Sequence, residues 1–400
     1  MRILLPSELK NTPVTSNTLN ELYIASPGLV GREDDLDLIS GRLRRPDQRL
    51  VTITGPGGIG KSRLALEAAL KLREQFTDGV YFVSLVAVTS PELILSAIAD
   101  EFRFSPQSRI DLKSRFLAYL NGKNVLIVLD NFEHLLASGV GPSGITDGAG
   151  MLKELLLSVP SAKFLITSRQ RVGLQAEWVF ELQGLPFPKT NTDRNPESYG
   201  AVLLFMKLAD KLCPGRSFSV QEKQQVSRIC HLAGGLPLGI NLAASWVRTL
   251  SCKEIADEIE KNLDFLAASG DADIPLRHRS LRHVFEQSWR NLSENERQVL
   301  RRMSVFRAGC QKDAAQDVAD ASLSVLSSLI DKSLLCRKAS GGDELQSRYD
   351  LHELLRQYAE EKLTLDPEDN YRARQAHCEY YVKFVRERAS SLISGNQRQA

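Results

Sequence analysis

The chain of 400 residues lacks any apolar run approaching about eighteen residues, so no stretch reads as a membrane-spanning helix. It also lacks a charge of one sign. With 51 Lys and Arg against 49 Asp and Glu, the formal charge is +2, which excludes a global basic field for gathering nucleic acid. Local basic stretches must be weighed singly. Cys213, Cys230, Cys252, Cys310, Cys336 and Cys378 show no CxxC spacing. They read as reduced packing residues of a cytoplasmic protein, and structural zinc is not expected. The opening "MRILLPSELKNTPVTSN" has one short apolar run and no small-residue cleavage site behind it, which argues against a secretory leader. Internal repeats are lacking as well.

What is present is a globular composition, 42% hydrophobic and 25% charged, in a chain too long for one core. Residues 1–29 read as a polar, irregular lead-in. From 30 to 188, the runs "LVTIT", "VYFVSL", "VLIVLD", "KFLITS" and "WVFEL" alternate with amphipathic stretches. That alternation predicts a parallel sheet covered by helices. "VTIT" and "VLIVLD" are almost wholly apolar, as strands buried on both faces should be. A Gly-rich insertion occupies 137–150, and "PFPKTNTDRNPES" at 186–198 marks a boundary. Residues 189–275 then follow helical periodicity up to a second break, "AASGDADIP". Residues 276–365 combine helices with "SLLCRK", "ASGGDE" and "LQSRYDLH", which read as strand, turn and strand. Helices followed by a hairpin predict a winged helix. Residues 366–400 open a further helical, sensor-like region, with Tyr380, Tyr381 and Phe384 as its core.

The chemistry-bearing segment is "GPGGIGKS" at 55–62, which fits G-x-x-x-x-G-K-[S/T] between a strand and a helix. Gly55, Gly57, Gly58, Ile59, Gly60, Lys61, Ser62 and Arg63 would form the phosphate cradle. Glycines let successive N–H groups turn toward phosphate oxygens, and the helix start adds its positive end. Lys61 would reach the β- and γ-phosphates, and the Ser62 hydroxyl would ligate Mg²⁺. "VLIVLD" ends in Asp130, placed to hold Mg²⁺ as a Walker B acid does. The next residue is Asn131, which cannot act as a base, so the water-activating candidate is Glu133. Glu133 could equally be an ordinary acid at a helix start. "FLITSRQ" ends a strand with Arg169, a γ-phosphate sensor or a surface ion pair.

Near the end of the third segment, Leu351, Leu354, Leu355 and Tyr358 of "DLHELLRQYA" fall on one helix face, with His352 beside it. "VGREDDL" at 30–36 precedes the P-loop, and "GGLPLGINLAA" at 234–244 lies in the helical segment. "RHRSLRHVFEQSWRNLSENERQVLRRMSVF" opens the third segment. This order of motifs over 28–365 resembles the NB-ARC module of STAND-class signalling ATPases, in particular bacterial regulators with tetratricopeptide-type sensors.

The resemblance implies an α/β P-loop (AAA+-like) parallel sheet domain followed by a helical domain and a winged-helix domain. It implies that Val30, Gly31 and Arg32 hold adenine. Pro237 would pack on the base, or would only start the next helix. It implies that His352, in Leu-His-Glu where the family has Met-His-Asp, contacts the ADP β-phosphate. The cofactors would be ATP or ADP with Mg²⁺. Partners would be a second copy when activated and a signal ligand or protein. The alternative is an origin-recognition type AAA+ ATPase whose winged helix grips DNA. "RHRSLRH" is basic, but the candidate recognition helix "ADASLSVLSSLIDKS" lacks Arg and Asn, so direct DNA binding is not expected.

Overall fold

Every residue of β1 (Leu50–Thr54) is buried, and so is every residue of β3 (Leu126–Asp130). Only a sheet covered on both faces does that to consecutive side chains. The computed structural model describes residues 28–104, 112–136, 147–188, 195–261, 263–266, 280–307, 309–339 and 347–393. The expected lead-in lies outside the described residues, apart from its last two. So do most of the Gly-rich insertion, the middle of the 186–198 boundary, the break at 267–275, the start of the basic run, most of the hairpin turn and the C-terminal end.

β2 (Val80–Ser84), β4 (Lys163–Ser168) and β5 (Glu177–Glu181) complete a sheet of order β2-β3-β4-β1-β5. All its pairings are parallel. β4 lies between β1 and β3, with Thr54 opposite Ser168. α1 (Glu33–Arg44), α2 (Lys61–Leu72), α3 (Ile94–Glu101), α4 (Leu112–Leu120) and α5 (Gly148–Ser158) accompany it. Ile98 of α3, Phe116 of α4 and Leu152 of α5 share a core with Ile127, Leu129 and Ile166 of the strands. Each such side chain contributes roughly 1.5–3 kcal/mol by leaving water.

The chain divides into two compact units, Met1–Gly55 with Ile59–Gln183, and Pro56–Gly58 with Gly184–Ala400. In the second, α6 (Gly200–Leu212), α7 (Val220–Leu232), α8 (Pro237–Ser245) and α9 (Cys252–Lys261) pack as a helical group. Ser219 caps α7 in a capping box with Glu222, which the Ser-x-x-Glu spacing encodes.

α10 (Leu281–Arg290), α11 (Glu294–Met303), α12 (Lys312–Ala319) and α13 (Leu323–Asp331) follow. Antiparallel β7 (Cys336–Ala339) and β8 (Ser347–Asp350) form the expected hairpin. A short β6 (Cys310–Gln311) extends it on the far side of β8, which the sequence pattern did not announce. α14 (Glu353–Thr364) and the long α15 (Pro367–Ile393) close the chain. The result is an α/β P-loop sheet, a helical region and a winged helix. Among the described residues, no helix is long and apolar enough to cross a membrane.

Candidate functional site

The loop 55–60 turns from β1 directly into α2. Gly58 and Gly60 have φ of +79° and +101°, left-handed values that glycine alone reaches without strain. Gly58 is also forbidden a side chain by packing, since a Cβ there would sit 2.9 Å from that of Leu238. Ile59 is buried, Gly55 accepts a bond from Lys61 Nζ at 2.7 Å, and Ser62 is exposed. Burial pushes the Lys61 ammonium down to about 8, opposed by Glu133, reinforced by Arg169 and opposed by Asp130. Arg63 pairs with Glu67 at 2.5 Å, while its Nε and Nη1 are buried with no hydrogen-bond partner among the described residues.

At the ends of β3 and β4 the Thr167 hydroxyl donates to Asp130 Oδ1 at 2.6 Å. The Thr167 hydroxyl oxygen accepts from the Asn131 N–H at 3.0 Å. Asn131 is left-handed, φ +68°, and the turn delivers Glu133 to a buried position. There Glu133 Oε1 meets Arg169 Nε at 3.1 Å. Lys61, Asp130, Glu133 and Arg169 thus gather within the first unit behind the glycine loop.

Arg32 is buried in that unit too. Its Nη1 donates to Asp35 at 2.9 Å and its Nη2 to the Gln183 carbonyl, while burial lowers its pKa. Val30 and Gly31 are half-buried, with Gly31 at φ +63°.

In the second unit Pro237 is the first residue of α8, the position where its missing N–H is harmless. The next residue, Leu238, donates its N–H to the Gly58 carbonyl at 3.1 Å. His352 caps α14, with Nδ1 accepting the Leu354 N–H at 3.3 Å. That fixes the proton on Nε2, which donates to the Gly234 carbonyl at 3.2 Å. Burial pushes the His352 pKa down, against the pull of the Gly234 carbonyl.

Residues 44–170 match the model of an AAA domain, and 292–364 that of a winged helix-turn-helix domain. The protein called Uncharacterized protein Rv0894, from Mycobacterium tuberculosis, is 30% identical over 344 residues. That match covers 84% of this chain and 81% of the relative. The chain belongs to the Rv0894 family. It is also 31% identical over 357 residues to a Putative HTH-type transcriptional regulator, Rv0890c, of the same organism. That match takes in 88% of this chain but only 37% of the regulator's length. The structure of the Aeropyrum pernix ORC2 protein (ADPNP-ADP complexes) overlaps with a TM-score of 0.47 at 14% identity, covering 84% of this chain and 96% of the other.

The winged helix-turn-helix match, with a relative named as an HTH-type regulator, corrects the expectation that direct DNA binding is not to be looked for. That expectation weighed base-reading side chains on one helix. Most protein–DNA hydrogen bonds go to phosphates and sugars, and β7 and β8 carry Arg337 and Arg348.

Sequence reasoning passed over Thr167 and Gly234. A threonine at the last position but one of the buried "FLITS" run was the available sign of the first. The second was hidden because its role depends on a ring 118 positions away.

Proposed function

We propose that this member of the Rv0894 family is an ATP/ADP-binding regulatory switch, closed with ADP, opened or oligomerised with ATP, and reset by slow hydrolysis. One observation carries the reading: Lys61, Asp130, Glu133 and Arg169 gather at the strand ends behind a glycine loop that opens a helix. In this reading Gly55, Gly57, Gly58, Ile59, Gly60, Lys61, Ser62 and Arg63 cradle the phosphates. Val30, Gly31, Arg32 and Pro237 take the adenine, and His352 takes the β-phosphate of ADP. A serine hydroxyl and a carboxylate oriented by Thr167 suit Mg²⁺, a hard cation that prefers oxygen. Bound there, Mg²⁺ would neutralise phosphate charge. Within the second unit, bonds from His352 to Gly234 and from Leu238 to Gly58 run from the α14 cap toward the loop, which supports a role for His352 in reading the nucleotide.

The test is to denature purified protein and identify what is released. Stoichiometric ADP is expected, and a protein that carries none and binds none would defeat the switch.

The winged helix-turn-helix match favours a second reading, in which the same chain contacts DNA through residues 292–364. Titration with labelled duplex at several salt concentrations separates the two. DNA binding that weakens steeply with salt supports contact with phosphates.

A further inference from the structure

The pairing of Arg169 with Glu133 bears on how such a site would be regulated. Arg169 Nε lies 3.1 Å from Glu133 Oε1, with side chains only 13% and 8% exposed. The other carboxylate oxygen, Glu133 Oε2, is buried and has no hydrogen-bond partner among the described residues. Thr167 sets this up as well as orienting Asp130. Its hydroxyl and its carbonyl take the N–H groups of Asn131 and Phe132, fixing the turn that carries Glu133 back toward β4.

Such a carboxylate has opposed properties. An oxygen kept dry and unpartnered is a strong proton acceptor. A guanidinium on the other oxygen stabilises the ionised form and weakens it as a base. The guanidinium is in turn the group placed to meet a γ-phosphate. Whatever draws it away releases Glu133 Oε1 from the ion pair.

We propose that Arg169 holds Glu133 idle as a base until a γ-phosphate draws the guanidinium off, so that the residue reading the triphosphate also arms its hydrolysis. The inference rests on the nucleotide-switch reading above. In the armed state a water oxygen attacks the γ-phosphorus and its proton passes to Glu133 Oε2. The bond from γ-phosphorus to the bridging oxygen breaks, and its electron pair leaves with ADP. ADP offers no γ-phosphate, so Arg169 returns to Glu133.

Binding measurements test this without turnover. Fluorescent ADP and the β,γ-imido analogue of ATP are titrated into wild type, Glu133→Gln, Arg169→Met and the double variant. Freed of its carboxylate, Arg169 should hold the analogue about tenfold more tightly in Glu133→Gln, with ADP within about twofold of wild type. In the Arg169→Met background Glu133→Gln should change neither ligand. Phosphate release by Glu133→Gln should fall by about 100-fold or more, the usual contribution of a general base. Arg169→Gln, which also removes the charge, replaces Arg169→Met should the latter fail to fold. If Glu133→Gln leaves the analogue's affinity unchanged, or shifts both nucleotides alike, the gate is wrong while the nucleotide site stands. If wild type binds neither nucleotide, the switch reading falls and takes the gate with it.

Discussion

His352 Nε2 lies 3.2 Å from the carbonyl oxygen of Gly234, and a Cβ on Gly234 would lie 2.1 Å from that same nitrogen. The imidazole therefore occupies the space that every other residue type at 234 would need. Gly234 also holds φ at +55°, a region that L side chains enter at about 1–2 kcal/mol.

Two substitutions separate packing from ligand reading. Gly234→Ala combines overlap with backbone strain and should destabilise the second unit by about 3 kcal/mol, read by hydrogen exchange in α8 and α14. His352→Ala removes the α14 cap and should loosen that exchange by only about 1 kcal/mol, but it should speed release of bound ADP by roughly ten- to a hundredfold, since a hydrogen bond to a charged group contributes roughly 1.5–3 kcal/mol. Unaltered ADP release in His352→Ala removes the histidine from nucleotide recognition.

Lys61 makes the affinity pH-dependent. Its pKa is pushed down to about 8, chiefly by burial. A phosphate favours the charged ammonium, so the bound state raises that pKa and binding takes up a proton. Affinity for ADP should be flat below pH 8. Above it, affinity should fall by up to about tenfold per pH unit until the pKa of the bound state is reached. Titrations between pH 6.5 and 9.5 in constant ionic strength read this directly. Lys61→Ala should bind weakly with no such slope, and a slope that survives the substitution assigns the proton elsewhere.

The legible parts of the molecule are those governed by short-range periodicity. All five parallel strands fall where the β-branched runs predict them, and the pattern is plainest in β1 and β3, which are buried on both faces and carry few polar positions to confuse it. The P-loop is equally local, its turn, glycines and helix start lying within eight residues. Arg169 was read at the end of a strand as a γ-phosphate sensor or a surface ion pair, with no partner named. Its partner Glu133 follows the neighbouring strand β3, and no spacing rule links the end of β3 to that of β4. His352 was read as lying beside a helix face when it caps the helix, a distinction set by one residue of register.

Thr167 should behave as a positioning residue for the cation. Its hydroxyl orients Asp130 from outside the coordination sphere. Thr167→Val keeps the shape and removes the bond, and it leaves the Asn131 N–H without its acceptor. Removing an outer-shell partner of this kind typically weakens metal affinity by about 10–100-fold. The Mg²⁺ concentration needed for half-maximal binding of the ATP analogue should rise by that factor, while Mg²⁺-free ADP binding changes little. Thr167→Ser should restore most of the loss. A Thr167→Val protein with wild-type Mg²⁺ demand would show that Asp130 needs no such support.

The winged helix carries its own acid sensitivity at Glu296. This residue completes the capping box of α11 with Ser293. It also accepts from Lys332 at 2.6 and 2.8 Å and from Ser328 at 2.6 Å, tying α11 to the end of α13. Burial alone would raise its pKa, but bonds from Lys332, Ser328 and Ser293 outweigh it and hold the value at about 2, against 4.5 for the free side chain. A depressed folded pKa means that this stabilisation is fully present above the unfolded value and is lost as pH falls from about 4.5 toward 2. Hydrogen exchange in α11 and α13 should therefore accelerate through that window, while α8, which lacks this carboxylate, stays protected longer. Glu296→Gln should abolish that part of the pH dependence and weaken the winged helix at pH 7 by about 3 kcal/mol, because Lys332 is left half-buried without its partner. Equal acid sensitivity in Glu296→Gln and wild type would place the responsible carboxylate elsewhere, with Asp369 between Arg301 and Arg302 the next to test.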